Sequence, residues 1–429
     1  MSLSRRDWLG ATLALGAGCR KRAGAPAPDT VEALIARMTT ADAEASLSLV
    51  LDVLAAGAPA ERVLAASFLL PVVTEGDRED VHAILVVPSI DVLTISMPKA
   101  ARDLAVAWAA HDAHAWMGPR RGALTNAQGP ATIDGMLAAI GNGDAAAAHT
   151  AAEAIAARGD LDSVLDALTI EGTRPRADPH GAIYVAQATR FLGGAALPFA
   201  PRVVGSVARL LARSPAEGPD PAPFNATIVH PMSSADLAAE LRRTPAARLD
   251  GLAPESVWGA LALLVVETML VDDSVSGLGP HRTTLLDALA HLHRRAPPAA
   301  RGLILARAVD WIPRVHARLG AAARPPVSSL EPSEGGYRPG PAMHGEGLFR
   351  RALGQAISDE RAFVEATRQH TIAHATGEHD FKHPAAVLTL APHLPDDVRA
   401  RWLAGASLAF VMRSEGRWAQ RDRVTARLR

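Results

Sequence analysis

Four helix-like segments, each opening with a histidine, recur along the chain at nearly constant intervals. Their leading histidines, His82, His180, His281 and His379, lie 98, 101 and 98 residues apart, and the segments read HAILVVPSIDVL, HGAIYVAQATRFL, HRTTLLDALAHL and HDFKHPAAVLTL. Apolar or small residues hold most of the third, fourth and seventh positions after these histidines, which is the helical period. Because one helix pair cannot bury its apolar face alone, this repetition predicts stacked helical units with a continuous core.

The sequences that flank the histidine-led segments recur as well. An apolar helical stretch precedes each histidine by roughly twenty residues, and a second helix follows that a proline can start, at Pro98, Pro201, Pro298 and Pro395. Phe, Tyr and Trp together make up only 4% of the chain, while alanine and leucine, the strongest helix formers, are abundant. We predict an all-α protein of four quasi-repeats of about 100 residues, curved or closed around a histidine-lined cavity.

The predicted organisation places one repeat domain behind a targeting segment. The segments are a signal at 1–19, a linker at 20–30 and the repeat domain at 31–429, with units at 31–125, 126–223, 224–325 and 326–429. The Pro/Gly-rich pieces Ser214–Pro223 and Arg324–Pro341 are predicted to be surface loops between units.

The N-terminus has the features of an export signal. Ser4-Arg5-Arg6-Asp7-Trp8-Leu9 fits the twin-arginine pattern, and a short apolar run then ends at Cys19, the single cysteine. We predict Tat export to the periplasm with a lipid anchor at Cys19; the alternative is cleavage without lipidation. No later segment is expected to have the length and apolar content of a transmembrane helix. A net charge of −1 argues against nucleic acid as a partner.

The recurring histidines are the first candidates for site residues. A helix N-terminus disfavours imidazolium, and neutral imidazole is the form that binds a metal or acts as a base. The predicted catalytic set is His82, His180, His281, His379 and Lys382, and the predicted metal ligands are the same four histidines with Glu267. Glu267 is included because a carboxylate inside the apolar run LALLVVETMLV is costly to bury unless it is paired or binds a cation. The alternative is that each histidine only caps its helix and duplication copied that role.

The stretch RQHTIAHATGEHDFKHPAA holds four histidines, of which recurrence selects one. His379 has counterparts in the other units, whereas His370 and His374 share a helix face that we expect to be solvated, as we do for His383. Lys382 lies at the third position after His379 and would share its face. Tyr184 holds the fourth position after His180 and is predicted to face the same pocket.

These histidine-led segments resemble those of the questin oxidase-like family. The matching pieces are DVHAILVVPSIDVL, DPHGAIYVAQATRFL, GPHRTTLLDALAHL and GEHDFKHPAAVLTL, and the last resembles the family's late His-x-x-Lys segment, here His379 and Lys382. The first piece departs from the Asn-His-Gly-Pro-Met type. The resemblance implies an all-helical fold, a histidine-lined cavity, oxidative chemistry on an aromatic substrate and NADPH as reductant.

Two functional hypotheses follow. The first is an oxidoreductase or oxygenase-like enzyme that uses a divalent metal, iron being the most plausible, on a small apolar organic substrate. The second is a helical scaffold that binds a peptide partner at the periplasmic membrane face, in which case the histidines would lie too far apart to share a ligand. Storage of haem or metal by the histidines is a third option.

Overall fold

The computed structural model describes residues 29–74, 81–115, 117, 130–176, 178–192, 196–224, 232–244, 251–271, 279–334, 337, 345–410 and 418–428. The predicted signal, Cys19 and nearly all of the predicted linker lie outside these residues.

Over these ranges the chain forms nineteen α-helices and no strand, which confirms the predicted all-α class. The first predicted unit holds α1 Val31–Thr40, α2 Ala43–Ala55, α3 Ala60–Thr74, α4 Val81–Thr94 and α5 Lys99–Ala115. The second holds α6 Ile133–Gly141, α7 Ala145–Ala157, α8 Leu161–Gly172, α9 His180–Phe191 and α10 Ala200–Arg213. The third holds α11 Ser234–Arg243, α12 Pro254–Val271, α13 Gly279–Arg295 and α14 Pro298–Arg318. The fourth holds α15 Gly345–Ser358, α16 Glu360–His374, α17 Glu378–Leu390, α18 Asp396–Phe410 and α19 Arg421–Leu428.

The prolines that follow the histidine-led helices lie at helix starts, as predicted. Pro298 is the first residue of α14 and Pro201 the second of α10, while Pro98 and Pro395 directly precede α5 and α18. A proline at these positions gives up no hydrogen bond, because the first N–H groups of a helix have no intrahelical acceptor. Proline therefore sets the start of the helix that returns along each histidine-led helix.

The four histidine-led helices pack against one another in a closed cycle. Helix α4 contacts α9 and α17, and α13 contacts the same two helices from the opposite side. Each of the four is covered by its two chain neighbours, for example α9 by α8 and α10, and one cluster of buried apolar side chains runs from α1 to α18. The four helices therefore form an inner ring, to which each predicted unit contributes one helix. That the units arose by duplication stays a prediction.

Polar contacts between buried side chains tie the ring helices together. Gln187 on α9 donates to Ser89 on α4 at 3.4 Å, and these residues hold the same position relative to His180 and His82. Arg190 on α9 makes a bidentate ion pair with Asp287 on α13 at 2.7 and 2.8 Å. Such bonds depend on register, because a shift of one residue would leave buried polar groups unsatisfied.

The contact between α13 and α17 yields a stability prediction. Thr283 Oγ1 lies 2.7 Å from His383 Nδ1, and both side chains are buried. Replacing Thr283 by valine is expected to lower the free energy of unfolding by roughly 1–3 kcal/mol, because it takes a hydrogen-bond partner from a buried ring nitrogen. Urea denaturation measures the change. Thr389→Val is the matched control, since among the described residues the Thr389 hydroxyl donates to Ala385 of its own helix and to no other group; equal losses in the two variants would contradict the expectation.

One helix of the described chain is long and apolar enough to cross a membrane by those two criteria. This is Pro254–Val271, of which 78% is buried within the protein. The expectation that no such segment follows the signal was therefore wrong for α12. The physical reason is that α12 packs against α11, α13, α14 and α18, so a largely apolar helix is covered by protein on most of its surface.

Candidate functional site

The recurring histidines meet where the N-terminal ends of the four ring helices come together. Ring centroids are 4.6 Å apart for His82 and His180, 4.6 Å for His180 and His281, 4.8 Å for His281 and His379, and 5.4 Å for His379 and His82. Across the ring, His82 and His281 are 6.0 Å apart. The structure thus brings all four sequence-predicted histidines into one cluster, the histidine cluster below, and their roles in it stay predictions.

Two carboxylates hold three of the imidazoles by their Nδ1 atoms. Glu378 Oε1 lies 3.0 Å from Nδ1 of His82 and 3.0 Å from Nδ1 of His379, although His82 and Glu378 are far apart in sequence. Asp178 Oδ1 lies 2.5 Å from Nδ1 of His180 and also accepts the backbone N–H of that residue. An Nδ1–H donated to a carboxylate fixes the tautomer and leaves the Nε2 lone pair for a ligand, as in carboxylate–histidine–metal arrangements.

The Nε2 atoms of His281 and His379 lie 3.3 Å apart. Ligand nitrogens about 2.0–2.1 Å from one tetrahedral metal ion lie about 3.3–3.4 Å from each other. The same distance also suits a hydrogen bond between two neutral rings, in which His281 Nε2–H donates to His379 Nε2. Both arrangements require neutral imidazoles.

Burial favours the neutral form of His180, His281 and His379. Removal from water lowers the pKa of His281 to about 2, with neighbouring His180 and Lys382 adding to the shift. Burial also lowers the pKa of His180 and His379, although a hydrogen bond to Asp178 or Glu378 opposes it. For Glu378, burial alone would raise the pKa, but hydrogen bonds from His379 and His82 and the charge of Lys382 outweigh it and lower the pKa. The site thus combines an ionised carboxylate with neutral nitrogen donors.

Two sets of three side chains can each present their metal-ligand atoms within 4.8 Å of one another. One set has three histidines, and the other has two histidines and a carboxylate. The groups are His82, His180 and His281, and His82, Glu378 and His379. The two groups share His82 and are alternatives, because the first offers three imidazole nitrogens and the second offers two nitrogens with a carboxylate oxygen of Glu378.

Lys382 is buried beside the cluster. Its side chain is only 2% exposed, and within the described residues its Nζ has no hydrogen-bond partner. Burial lowers its pKa to about 8, while Glu378 and Asp112 oppose the shift. The corresponding position, three residues after the leading histidine, holds Leu85 in α4 and Ile183 in α9. The fourth unit is thus the one that carries an amine at this position. Burying an unpaired amine lowers the stability of the fold, and such a buried group with a shifted pKa is typical of a functional site.

Glu267 is not brought to the histidine cluster. Its carboxylate accepts from His316 Nε2 at 2.8 Å and from the Val327 backbone N–H at 3.0 Å, and Arg242 Nε lies 3.4 Å away. The predicted alternatives for a buried carboxylate were pairing or a cation, and here it is paired. Through this bond to Val327 the carboxylate holds the 324–334 segment in place. Val327 and Leu330 are buried, so part of the predicted surface loop belongs to the core.

Other expectations about individual side chains had mixed outcomes. Tyr184 does not line the cluster by its hydroxyl, which lies 3.3 Å from Ser206 on α10. His383 is buried against Thr283 instead of being solvated. His370 and His374 contact each other, with ring centroids 4.5 Å apart, and belong to neither group of candidate ligands.

No family model matches the chain. No curated protein and no solved structure matches it either. The resemblance to the questin oxidase-like family therefore stays a prediction, and any functional proposal depends on the residues of the site itself.

Sequence reasoning missed the two carboxylates that orient the histidines. Glu378 directly precedes His379 in the piece GEH, and Asp178 precedes His180 by two residues in DPH. Acidic residues just before two of the recurring histidines were the signal available. Their roles were not evident because Glu378 also binds His82, whose proximity only the closed ring creates.

Proposed function

We propose that the histidine cluster binds one divalent transition-metal ion and that the protein is an oxidoreductase, oxygenase-like in its chemistry, acting on a small organic substrate. The observation that carries the proposal is the convergence of four imidazoles, three of them held at Nδ1 by carboxylates. A scaffold that binds a partner chain does not need this convergence. The scaffold hypothesis predicted instead that the histidines would lie too far apart to share a ligand.

The donor set favours a borderline transition metal over magnesium or calcium. Imidazole nitrogens suit zinc, copper, iron and nickel, whereas the harder cations prefer oxygen ligands. Iron agrees best with the oxidative chemistry that the sequence resemblance implies, and a histidine-rich site with one carboxylate is a familiar environment for non-haem iron. Iron is therefore the ion proposed.

Each residue of the cluster has a defined task in this proposal. The bound ion would supply Lewis-acid or redox chemistry. Glu378 holds the His82 and His379 rings by their Nδ1 atoms and leaves both Nε2 atoms available. With a pKa of about 8, Lys382 can give or take a proton near neutral pH, or stabilise an anionic oxygen of the substrate.

Export and anchoring belong to the same proposal. Export by the twin-arginine route would carry the folded protein, loaded with its ion in the cytoplasm, to the periplasm, and a lipid on Cys19 would hold it at the membrane face. NADPH, which only the resemblance implies, would be scarce there, so a periplasmic electron donor is the expected reductant. Mass spectrometry of the membrane-extracted protein tests the anchor, because a lipid on Cys19 adds a defined mass.

Metal content and the optical spectrum of the natively exported protein test the function. We expect about one equivalent of bound iron, lost in His281→Ala, because ring histidines here share one ion. His281 is the best choice since no other histidine lies within nine residues. His370→Ala, which alters a histidine outside both candidate ligand groups, is the matched control and should keep its metal. Equal metal in the His281→Ala variant, or none in any form after reconstitution with Fe²⁺, would refute the proposal.

A further inference from the structure

A cavity of about 210 Å³ adjoins the histidine cluster and shares His281 with it as a wall. It lies among α12, α13 and α14 and is bordered by the turn before α9, through Pro175 and Pro179. Because one side chain belongs both to the cluster and to the cavity wall, a molecule held in the cavity lies next to the proposed metal site.

One half of the cavity wall is apolar and includes an aromatic ring. Val265, Leu285, Ile312, Val315 and Trp311 line it. A cavity of about 150 Å³ lined by aliphatic and aromatic side chains holds benzene. The larger volume here therefore accommodates one six-membered ring with one short substituent, and Trp311 offers a flat surface for it.

The other half of the wall is positively charged. Four arginines face a single carboxylate, Glu217, in the lining. Two of the arginines are paired outside the lining, Arg176 with Glu171 and Arg314 with Asp310, and Arg282 donates to the backbone carbonyl of Thr268. Those two partner carboxylates offset part of the positive charge of the lining, in which four arginines stand against one carboxylate.

Arg318 is the arginine best placed to take a ligand. It is exposed, closes the last turn of α14, and has no ion-pair partner among the residues that the structure describes. A guanidinium presents parallel N–H donors that match a carboxylate in a bidentate pair, so an unpaired arginine at an apolar cavity favours a ligand with a planar anionic group.

We propose that this cavity binds a small monocyclic aromatic carboxylate, with its ring against Trp311 and its carboxylate at Arg318. The inference rests on the proposed function, because such an acid would be the substrate class of the histidine site. It also changes the predicted substrate from a purely apolar molecule to one with a carboxylate. The ring would lie beside His281, within reach of chemistry at the cluster.

Calorimetric titration of the mature protein with benzoate, in the presence of a chelator, tests the proposal. Benzyl alcohol serves as the neutral probe of the same size. We expect benzoate to bind at least about 10-fold more tightly than benzyl alcohol, and Arg318→Gln to remove most of that difference, because benzyl alcohol lacks the carboxylate that a guanidinium binds through two parallel hydrogen bonds. Benzyl alcohol should bind equally to both forms.

Arg213→Gln is the matched control. Arg213 also ends a helix, α10, is exposed, and does not line the cavity, so the variant loses the same charge at an equivalent position. Absent benzoate binding, or equal losses in the two variants, would overturn the proposal.

The titration separates this inference from the proposed function. Benzoate binding that needs Arg318 in a protein that never takes up iron would support the cavity proposal and refute the metal site. Iron bound by the histidines without benzoate binding would refute the cavity proposal alone.

Discussion

Replacing Glu378 by alanine is expected to weaken divalent-metal binding about 10- to 100-fold, the usual effect of removing a carboxylate that orients metal-binding histidines. Glu378 accepts hydrogen bonds from His82 and His379, so its loss releases two rings at once and removes the carboxylate that opposes the lowering of the pKa of His379 by burial. Glu378→Gln keeps an acceptor oxygen but not the charge and should fall between wild type and Glu378→Ala. Titration with Co²⁺, followed by its visible absorbance, gives the three affinities.

Glu360→Ala is the control for the change in helix charge. Glu360 occupies the first position of α16 as Glu378 does of α17, so both variants lose a carboxylate that favours a helix N-terminus. Melting temperatures measured without metal show whether a weaker affinity comes from unfolding. Unchanged Co²⁺ affinity in a folded Glu378→Ala protein would mean that the carboxylate does not position ligands.

Replacing Lys382 by methionine is expected to stabilise the metal-free protein at pH 7 by about 3 kcal/mol while abolishing activity. The stabilisation follows from burial, which lowers the pKa of this amine from its ordinary 10.5 to about 8 and makes its charged form costly in the folded state. Because the unfolded chain binds this proton more tightly, the free energy of unfolding of the wild type should rise between about pH 8 and pH 10.5. The variant should lack that rise.

Urea denaturation across this pH range, in the presence of a chelator, provides the measurement. Lys99→Met is the control, since Lys99 is largely exposed and pairs with Asp103 on its own helix, where a surface pair contributes at most about 1 kcal/mol. A destabilised Lys382→Met protein would show that the ammonium is held by favourable contacts in the folded state, which would contradict the expectation.

The helices and the position of the candidate site were within reach of sequence reasoning because both depend on local signals. The period of the apolar residues and the prolines at 98, 201, 298 and 395 predicted the helical class and the helix starts. Recurrence distinguished His379 from His370 and His374, and the structure places His379 in the cluster and the other two on α16.

What could not be predicted depends on contacts between distant parts of the chain. Glu378 has two partners, and His82 becomes one of them only because α4 packs against α17. Glu267 satisfied the criterion for a candidate ligand, a carboxylate in an apolar run, but its partner His316 lies on another helix, α14, and sequence offers no sign of that pairing. Burial of His383 likewise depends on the position of Thr283 on the neighbouring ring helix α13.

The first and last helices of the ring, α4 and α17, meet at a contact that we call the seam. At the seam Glu378 contacts His82, although the two residues are 296 positions apart in the sequence. A contact of such sequence separation forms late, since the entropy of closing a long loop must be overcome before the contact is gained. An ion bound by His82, Glu378 and His379 would link the first unit to the last at this seam. At 100 times its dissociation constant it would add about 2.7 kcal/mol to the stability of the closed ring, so the loaded protein would resist opening at the place where an empty one would open first.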